Sequence, residues 1–196
     1  MSRAPHYGSR DTESCQAAGI LPLSIDGQGR IIVLFGEEVE GDGWSEFGGG
    51  REPGETIAQC AAREYEEETM SMWYNREEML TILNSQRLLA TYNNGKYLQY
   101  LVYFPYSEWV VNQFNRVFDH LRSSVERIGQ QPLELGWEKS RVRWFSLSAL
   151  LEETTIEKIR PCCRDNLRRI GHHYERLLHQ HWIKEKFMIN KSYIQQ

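Results

Sequence analysis

Residues 48–55 read Gly48-Gly49-Gly50-Arg51-Glu52-Pro53-Gly54-Glu55, and a few residues on the chain continues Arg63-Glu64-Tyr65-Glu66-Glu67-Glu68. A glycine-rich turn thus leads into a segment carrying four acids among five positions. The stretch from Glu55 to Thr69 is long enough for about four helical turns. Ala58, Ala61, Ala62 and Tyr65 recur at three- and four-residue spacings and form a small apolar face that can lie close against a sheet. Glu64, Glu67 and Glu68 stand at i, i+3 and i+4, so their carboxylates share one side of the helix. Unpartnered, they repel one another. A hard divalent cation such as Mg²⁺ or Mn²⁺ removes that penalty, because it prefers oxygen ligands.

The full spacing, Gly49, five residues, Glu55, seven residues, then Arg63-Glu64 and Glu67-Glu68, resembles the Nudix box, G-x5-E-x7-R-E-U-x-E-E-x-G-U with U apolar. The box's last glycine and following apolar residue fall on Met70 and Ser71. A glycine just past a helix ordinarily supplies a left-handed turn, so Met70 leads us to expect a helix that ends differently or runs slightly further. The resemblance covers residues 17–154. It implies an α/β fold, a Nudix-like α/β/α sandwich with a mixed sheet, and an enzyme that hydrolyses a diphosphate in a nucleotide-type substrate. By position it implies Glu64, Glu67 and Glu68 as ligands of Mg²⁺ or Mn²⁺, with the carbonyl near Gly49 as a further ligand, and Glu55 paired with Arg63 to brace the loop on the helix. The general base in such an enzyme is a box glutamate, Glu64 or Glu67, or an acid from a later loop. Glu138, ahead of the strand-like Arg141–Phe145, is the first choice there and Glu134 the second.

The rest of the chain fits that reading. With 196 residues, 40% hydrophobic and 26% charged, it suits one globular domain with an appendage. No apolar run approaches the length that crosses a bilayer, and the polar start lacks a signal-peptide core, so the expected location is the cytoplasm, with the nucleus also open. Cys15, Cys60, Cys162 and Cys163 are too few for a disulfide scaffold and are expected as thiols. The net charge of −4 hides an asymmetry. Residues 1–154 hold 14 Lys and Arg against 23 Asp and Glu, whereas residues 155–196 hold 9 against 4. The acidic body therefore carries a basic end that could attract RNA through Arg164, Arg168 and Arg169, although a solvated helix face is the commoner use of such charges.

Residues 1–16 are polar and expected to be loose. Residues 18–25 and 30–35 flank Asp26-Gly27-Gln28-Gly29 and read as a hairpin; residues 86–92 and 97–104, around Asn93-Asn94-Gly95, read as a second. Val110, Phe114, Val117, Leu121, Val125 and Ile128 predict a helical insert over 107–128. After the strand at 141–145, Ser148 caps a short helix, and Leu167, Ile170, Tyr174, Leu177, Leu178 and Trp182 form the stripe of a C-terminal helix within a basic extension, residues 155–196. Trp44 and Phe47, which flank the box, are candidates to stack on a nucleobase, as are Tyr97, Tyr100, Tyr103, Phe104, Tyr106 and Trp109, though strand packing is the ordinary fate of such residues. Arg51 is a further candidate for substrate. No Gly-Lys-Ser/Thr follows the glycines, which excludes a P-loop. Cys162-Cys163 with His172, His173, His179 and His181 lack the spacing of a zinc site. Within a diphosphatase the basic end favours a large anion such as capped RNA; small nucleotides, dinucleoside polyphosphates and diphosphoinositol phosphates are the alternatives. A non-catalytic ligand- or protein-binding module of the same fold would be marked by a lost glutamate, and Glu64, Glu67 and Glu68 are all retained.

Overall fold

The computed structural model describes residues 4–9, 11–39, 43–130 and 137–173. Among the described residues eight strands form one mixed sheet: β1 (His6–Gly8), β2 (Ala17–Ile25), β3 (Ile31–Glu38), β4 (Trp44–Ser45), β5 (Phe47–Gly50), β6 (Leu88–Asn93), β7 (Tyr97–Tyr103) and β8 (Lys139–Ser146). The main path runs β1-β6-β7-β2-β3-β4, with β5 beside β2 and β8 beside β3. Two pairings are parallel, β1 with β6 and β2 with β7; the others are antiparallel. Both expected hairpins are present, the first in the register Leu23↔Val33 and Ile25↔Ile31.

Strand alternation sends side chains to opposite faces, and each face is covered by helices. On one face Ala18, Ile20, Leu98, Tyr100 and Val102 pack with α1 (Ile57–Glu68), α2 (Arg76–Leu83) and α3 (Glu108–Glu126). On the other, Leu21, Val33, Phe35 and Leu101 pack with α4 (Leu147–Leu150) and α6 (Pro161–His172), which contributes Cys163, Leu167 and Ile170. A short α5 (Glu153–Ile156) lies between them in the chain. The result is an α/β/α sandwich. Among the described residues no helix is long and apolar enough to cross a membrane.

Several expectations change. The polar N-terminal segment is not wholly loose, because β1 pairs with β6 and Cys15 is buried. α2 is a helix that the hydrophobic pattern did not signal, yet its start was written in Asn75 and Glu78, whose side chains and backbone amides bond reciprocally. In α3 the buried face is Val111, Phe114, Phe118 and Val125, while Val117 and Ile128 are exposed, so the stripe is turned relative to the expected one. The short helix α4 is capped by Ser146 rather than Ser148. Of the C-terminal stripe, Leu167 and Ile170 are buried; Tyr174, Leu177, Leu178 and Trp182 lie outside the described residues.

The helix exit is the sharpest correction. α1 does not run on: it ends at Glu68 with Thr69 as its cap, and Met70 and Ser71 have φ of 52° and 54°. The left-handed exit of the box is thus kept without glycine. Hydrogen bonds from Met70 N to Glu67 O (3.2 Å) and from Ser71 N to Glu66 O (2.9 Å) satisfy the last carbonyls and hold both residues in a conformation that side chains disfavour.

Candidate active site

α1 starts where Thr56 and Gln59 form a reciprocal capping box, and it lies on β2 and β5 through the buried Cys60, Ala61, Ala62 and Tyr65. That seating puts the glycine loop directly beside the acidic side of the helix. A Cβ at Gly48 would come within 2.4 Å of Gly19 Cα and 2.6 Å of the Tyr97 hydroxyl. A Cβ at Gly49 would come within 2.6 Å of the Glu64 carboxylate, whereas at Gly50 it would meet nothing. Gly48 therefore serves the close approach of β5 to β2, and Gly49 makes room for Glu64.

Arg63 ties loop and helix together. Its Nε lies 3.0 Å from Glu55 Oε1, and its Nη2 donates to Glu55 Oε2 (3.2 Å) and to the Gly50 carbonyl (2.8 Å). Arg76, from α2, adds a contact of 3.1 Å to Glu55 Oε1. Arg63's hydrogen bonds hold the Glu55 carboxyl below its ordinary range despite burial. The same guanidinium reaches Glu64 (2.9 Å) and Glu67 (3.0 Å) through Nη1.

The three box acids differ in setting. Glu64 is buried, and burial pushes its carboxyl up although Arg63 opposes the shift; Glu67 and Glu138 add to it. Glu67 keeps a side chain 53% exposed. Glu68 is buried, accepts from Gly48 N at Oε2 (2.7 Å) and has Lys139 Nζ 3.0 Å from Oε1. Burial pushes its carboxyl up to about 8, with Lys139 opposing. Glu138 is exposed just ahead of β8, and its charge is felt at both Glu64 and Glu68. Glu134 lies outside the described residues. As the side chains stand, among the described residues no three acids, histidines or cysteines converge on one point; Glu64 and Glu67 are both drawn onto Arg63. The donor set nonetheless suits a hard divalent cation, being carboxylate throughout and gathered on one side of α1 beside the glycine loop.

The other candidates are dispersed. Phe47 is fully buried and packs edge-on to Tyr65 with ring centroids 5.5 Å apart, so it has no face to offer a base. Tyr100, Tyr103 and Phe104 are buried as well, leaving Tyr106 and Trp109 as exposed rings. Trp44 is half-buried against Phe145 and borders an open groove of 590 Å³ beside Glu37, Arg141, Arg143, Asn112 and Asn115. Arg51 is committed to the protein, donating to the Glu55 carbonyl (2.6 Å) and the Glu13 carbonyl (3.0 Å). Arg164 likewise turns onto the carbonyls of Ile159 (2.7 Å) and Glu157 (2.8 Å), while Arg168 and Arg169 are exposed. The Gly49 carbonyl accepts weakly from the Cys60 thiol at 3.6 Å. His179, His181 and the Cys162 side chain lie outside the described residues, and Cys163 is buried.

Comparison with known proteins decides the family: the NUDIX domain pattern matches residues 14–165. The chain belongs to the Nudix family. It is similar to the uncharacterized protein L534 of Acanthamoeba polyphaga mimivirus, with 34% identity in a 73-residue alignment that covers 34% of this chain and 23% of that protein. Among solved structures, an Ap4A hydrolase from C. elegans in a binary complex aligns over 82% of this chain and 98% of its own, with 17% identity and a TM-score of 0.45. A mutT/nudix family protein from Listeria innocua aligns over 88% and 96%, with 14% identity and a TM-score of 0.43. A bifunctional NMN adenylyltransferase/ADP ribose pyrophosphatase from Francisella tularensis, complexed with AMP and a Mn ion, aligns over 83% and 42%, with 17% identity and a TM-score of 0.42.

The residue that the sequence reading passed over is Lys139. Its ammonium is buried among Glu38, Ser45 and Glu68, which come from β3, β4 and α1. A lysine opening a strand carries no mark of this role. The nearest sequence signal is its place beside Glu138.

Proposed function

We propose that this Nudix hydrolase is a diphosphatase that needs Mg²⁺ or Mn²⁺ and acts on a nucleotide-type diphosphate, with capped RNA as its substrate. The observation that carries the reaction class is the cluster of Glu64, Glu67 and Glu68 on one side of α1, braced by Arg63 and Glu55 beside Gly49. Glu64, Glu67 and Glu68 would hold the cation, which when bound neutralises diphosphate charge and favours a nucleophilic water. Arg63 keeps Glu64 and Glu67 in register, and Gly49 leaves the Glu64 carboxylate its space. Proton removal from water falls to the exposed Glu138, because Glu64 is buried against Arg63 and Glu67, though exposed, is engaged by Arg63 and given to the cation. Glu67→Gln is expected to abolish metal-dependent hydrolysis with little change in stability. Glu138→Gln is expected to lower kcat with KM little changed.

The choice of RNA is supported by the charge asymmetry of the chain and by Arg168 and Arg169, exposed on α6. The test is a product-resolved screen with Mg²⁺ and Mn²⁺ over capped RNA, nucleoside diphosphate sugars, dinucleoside polyphosphates, NAD and inositol pyrophosphates. The RNA reading expects capped RNA to be cleaved at its anhydride with the highest kcat/KM. Preference for a small nucleotide or an inositol pyrophosphate overturns it and leaves the reaction class standing. Absence of turnover across a panel extended to other diphosphates favours a binding module.

A further inference from the structure

A buried ammonium is costly unless it is paired and fully hydrogen-bonded. Lys139 is 2% exposed, and its Nζ lies 2.6 Å from Glu38 Oε1, 2.6 Å from Ser45 Oγ and 3.0 Å from Glu68 Oε1. An ammonium has three N–H groups, and three oxygens surround this one. The position is built to receive it. The lysine stem crosses β3 at Gly36, where a Cβ would come within 2.7 Å of Lys139 Cδ and 2.9 Å of its Cγ. Ser45 Oγ also donates to Glu38 Oε1 (2.5 Å), and Arg160, just ahead of α6, reaches the same oxygen at 3.1 Å. Two carboxylates and a hydroxyl within 3.0 Å of a cationic centre are the ligand chemistry of a hard metal ion.

We propose that Lys139 is the resident cation of this site: its ammonium fills an oxygen-lined position, made by Glu38, Ser45 and Glu68, that would otherwise take a divalent ion. This rests on the proposed reading of Glu64, Glu67 and Glu68 as a metal site. Lys139 holds Glu68 Oε1 on the inner side, while Gly48 N holds Oε2. A divalent ion is therefore left the remaining lone pairs of Glu68 together with Glu64 and the exposed Glu67. Lys139 is a positioning residue, acting on the metal through Glu68, and it sets how many ions the protein binds.

The test is a count of Mn²⁺ bound per chain, from the electron paramagnetic resonance of free Mn²⁺, on the wild type, Lys139→Ala, Lys139→Arg and Glu67→Gln at one pH. Lys139→Ala is expected to bind one more ion than the wild type and to gain more in Tm from Mn²⁺. Lys139→Arg is expected to keep the wild-type count. An unchanged count in folded Lys139→Ala overturns the proposal, since a purely structural lysine would change stability alone. Should Lys139→Ala not fold, Lys139→Gln carries the same count with the same two outcomes. A wild type that binds no Mn²⁺ overturns the metal reading instead, and the ion gained on losing Lys139 is then counted from zero.

Discussion

Gly49→Ala separates the chemistry of the site from the stability of the fold. The added Cβ would stand 2.6 Å from the Glu64 carboxylate, while ordinary contact begins near 3.4 Å, so the carboxylate must withdraw by about 1 Å. The backbone conformation itself tolerates alanine, because Gly49 does not have a positive φ, and the three nearest obstructing atoms all end the Glu64 side chain. The fold loses part of the 2.9 Å contact between Glu64 and Arg63, about 1 kcal/mol, and regains a similar amount because alanine narrows the unfolded ensemble. Stability should therefore change by less than about 1 kcal/mol. Catalysis should suffer far more, since a displacement of about 1 Å in a catalytic group can lower the rate by roughly 10²-fold, or about 2.7 kcal/mol of transition-state stabilisation. The assay is kcat/KM at saturating Mg²⁺ on the best substrate of the screen, with urea unfolding alongside. Gly50→Ala is the control: its Cβ would meet nothing within 4 Å, and activity should stay within about twofold. Wild-type activity in Gly49→Ala would refute the placing of Glu64 in the reacting centre.

The brace predicts an acid-dependent stability. Glu55 titrates below its unfolded value of 4.5, so its contribution is present above that pH and fades as pH falls through the lower folded value. Glu55→Gln should lose about 2 kcal/mol at pH 7, and the gap to the wild type in urea midpoint should close toward pH 3. Ser71→Gly should raise stability by about 1 kcal/mol, because it relieves a φ of 54° at an exposed residue; unchanged or lower thermal stability would contradict the strain argument. Charge reversal at Arg168 and Arg169 should weaken RNA binding and reduce the slope of log K against log salt by about 1.4, at about 0.7 per contact to a single strand. An unchanged slope removes α6 from the RNA interface.

What could be read in the sequence was mostly local. The box acids, their brace and the two hairpins depend on spacing within one or two elements, and the structure brings Glu55, Arg63, Glu64 and Glu67 into contact. What could not be read depends on distant chain. β1 exists because β6 offers it a parallel edge, far along the sequence. Phe47 looks like a free aromatic beside the box until α1 lays Tyr65 across it. In α3, adjacent apolar pairs such as Val110-Val111 and Val117-Phe118 allow two stripes, and packing against the sheet selects the one with Val111 and Phe118. Lys139 acquires its meaning only when three other elements close around it. The exit at Met70 shows the reverse case, in which backbone hydrogen bonds outweigh a residue's own preference.

The central claim is that the acids of α1 hold a divalent cation beside the glycine loop. Anomalous diffraction from crystals soaked in Mn²⁺ tests it most directly. A peak in direct ligand contact with Glu64 and Glu67, absent from Glu67→Gln, is the predicted result. An ordered loop and helix with no peak there at saturating Mn²⁺, or with Mn²⁺ bound only elsewhere, would contradict it.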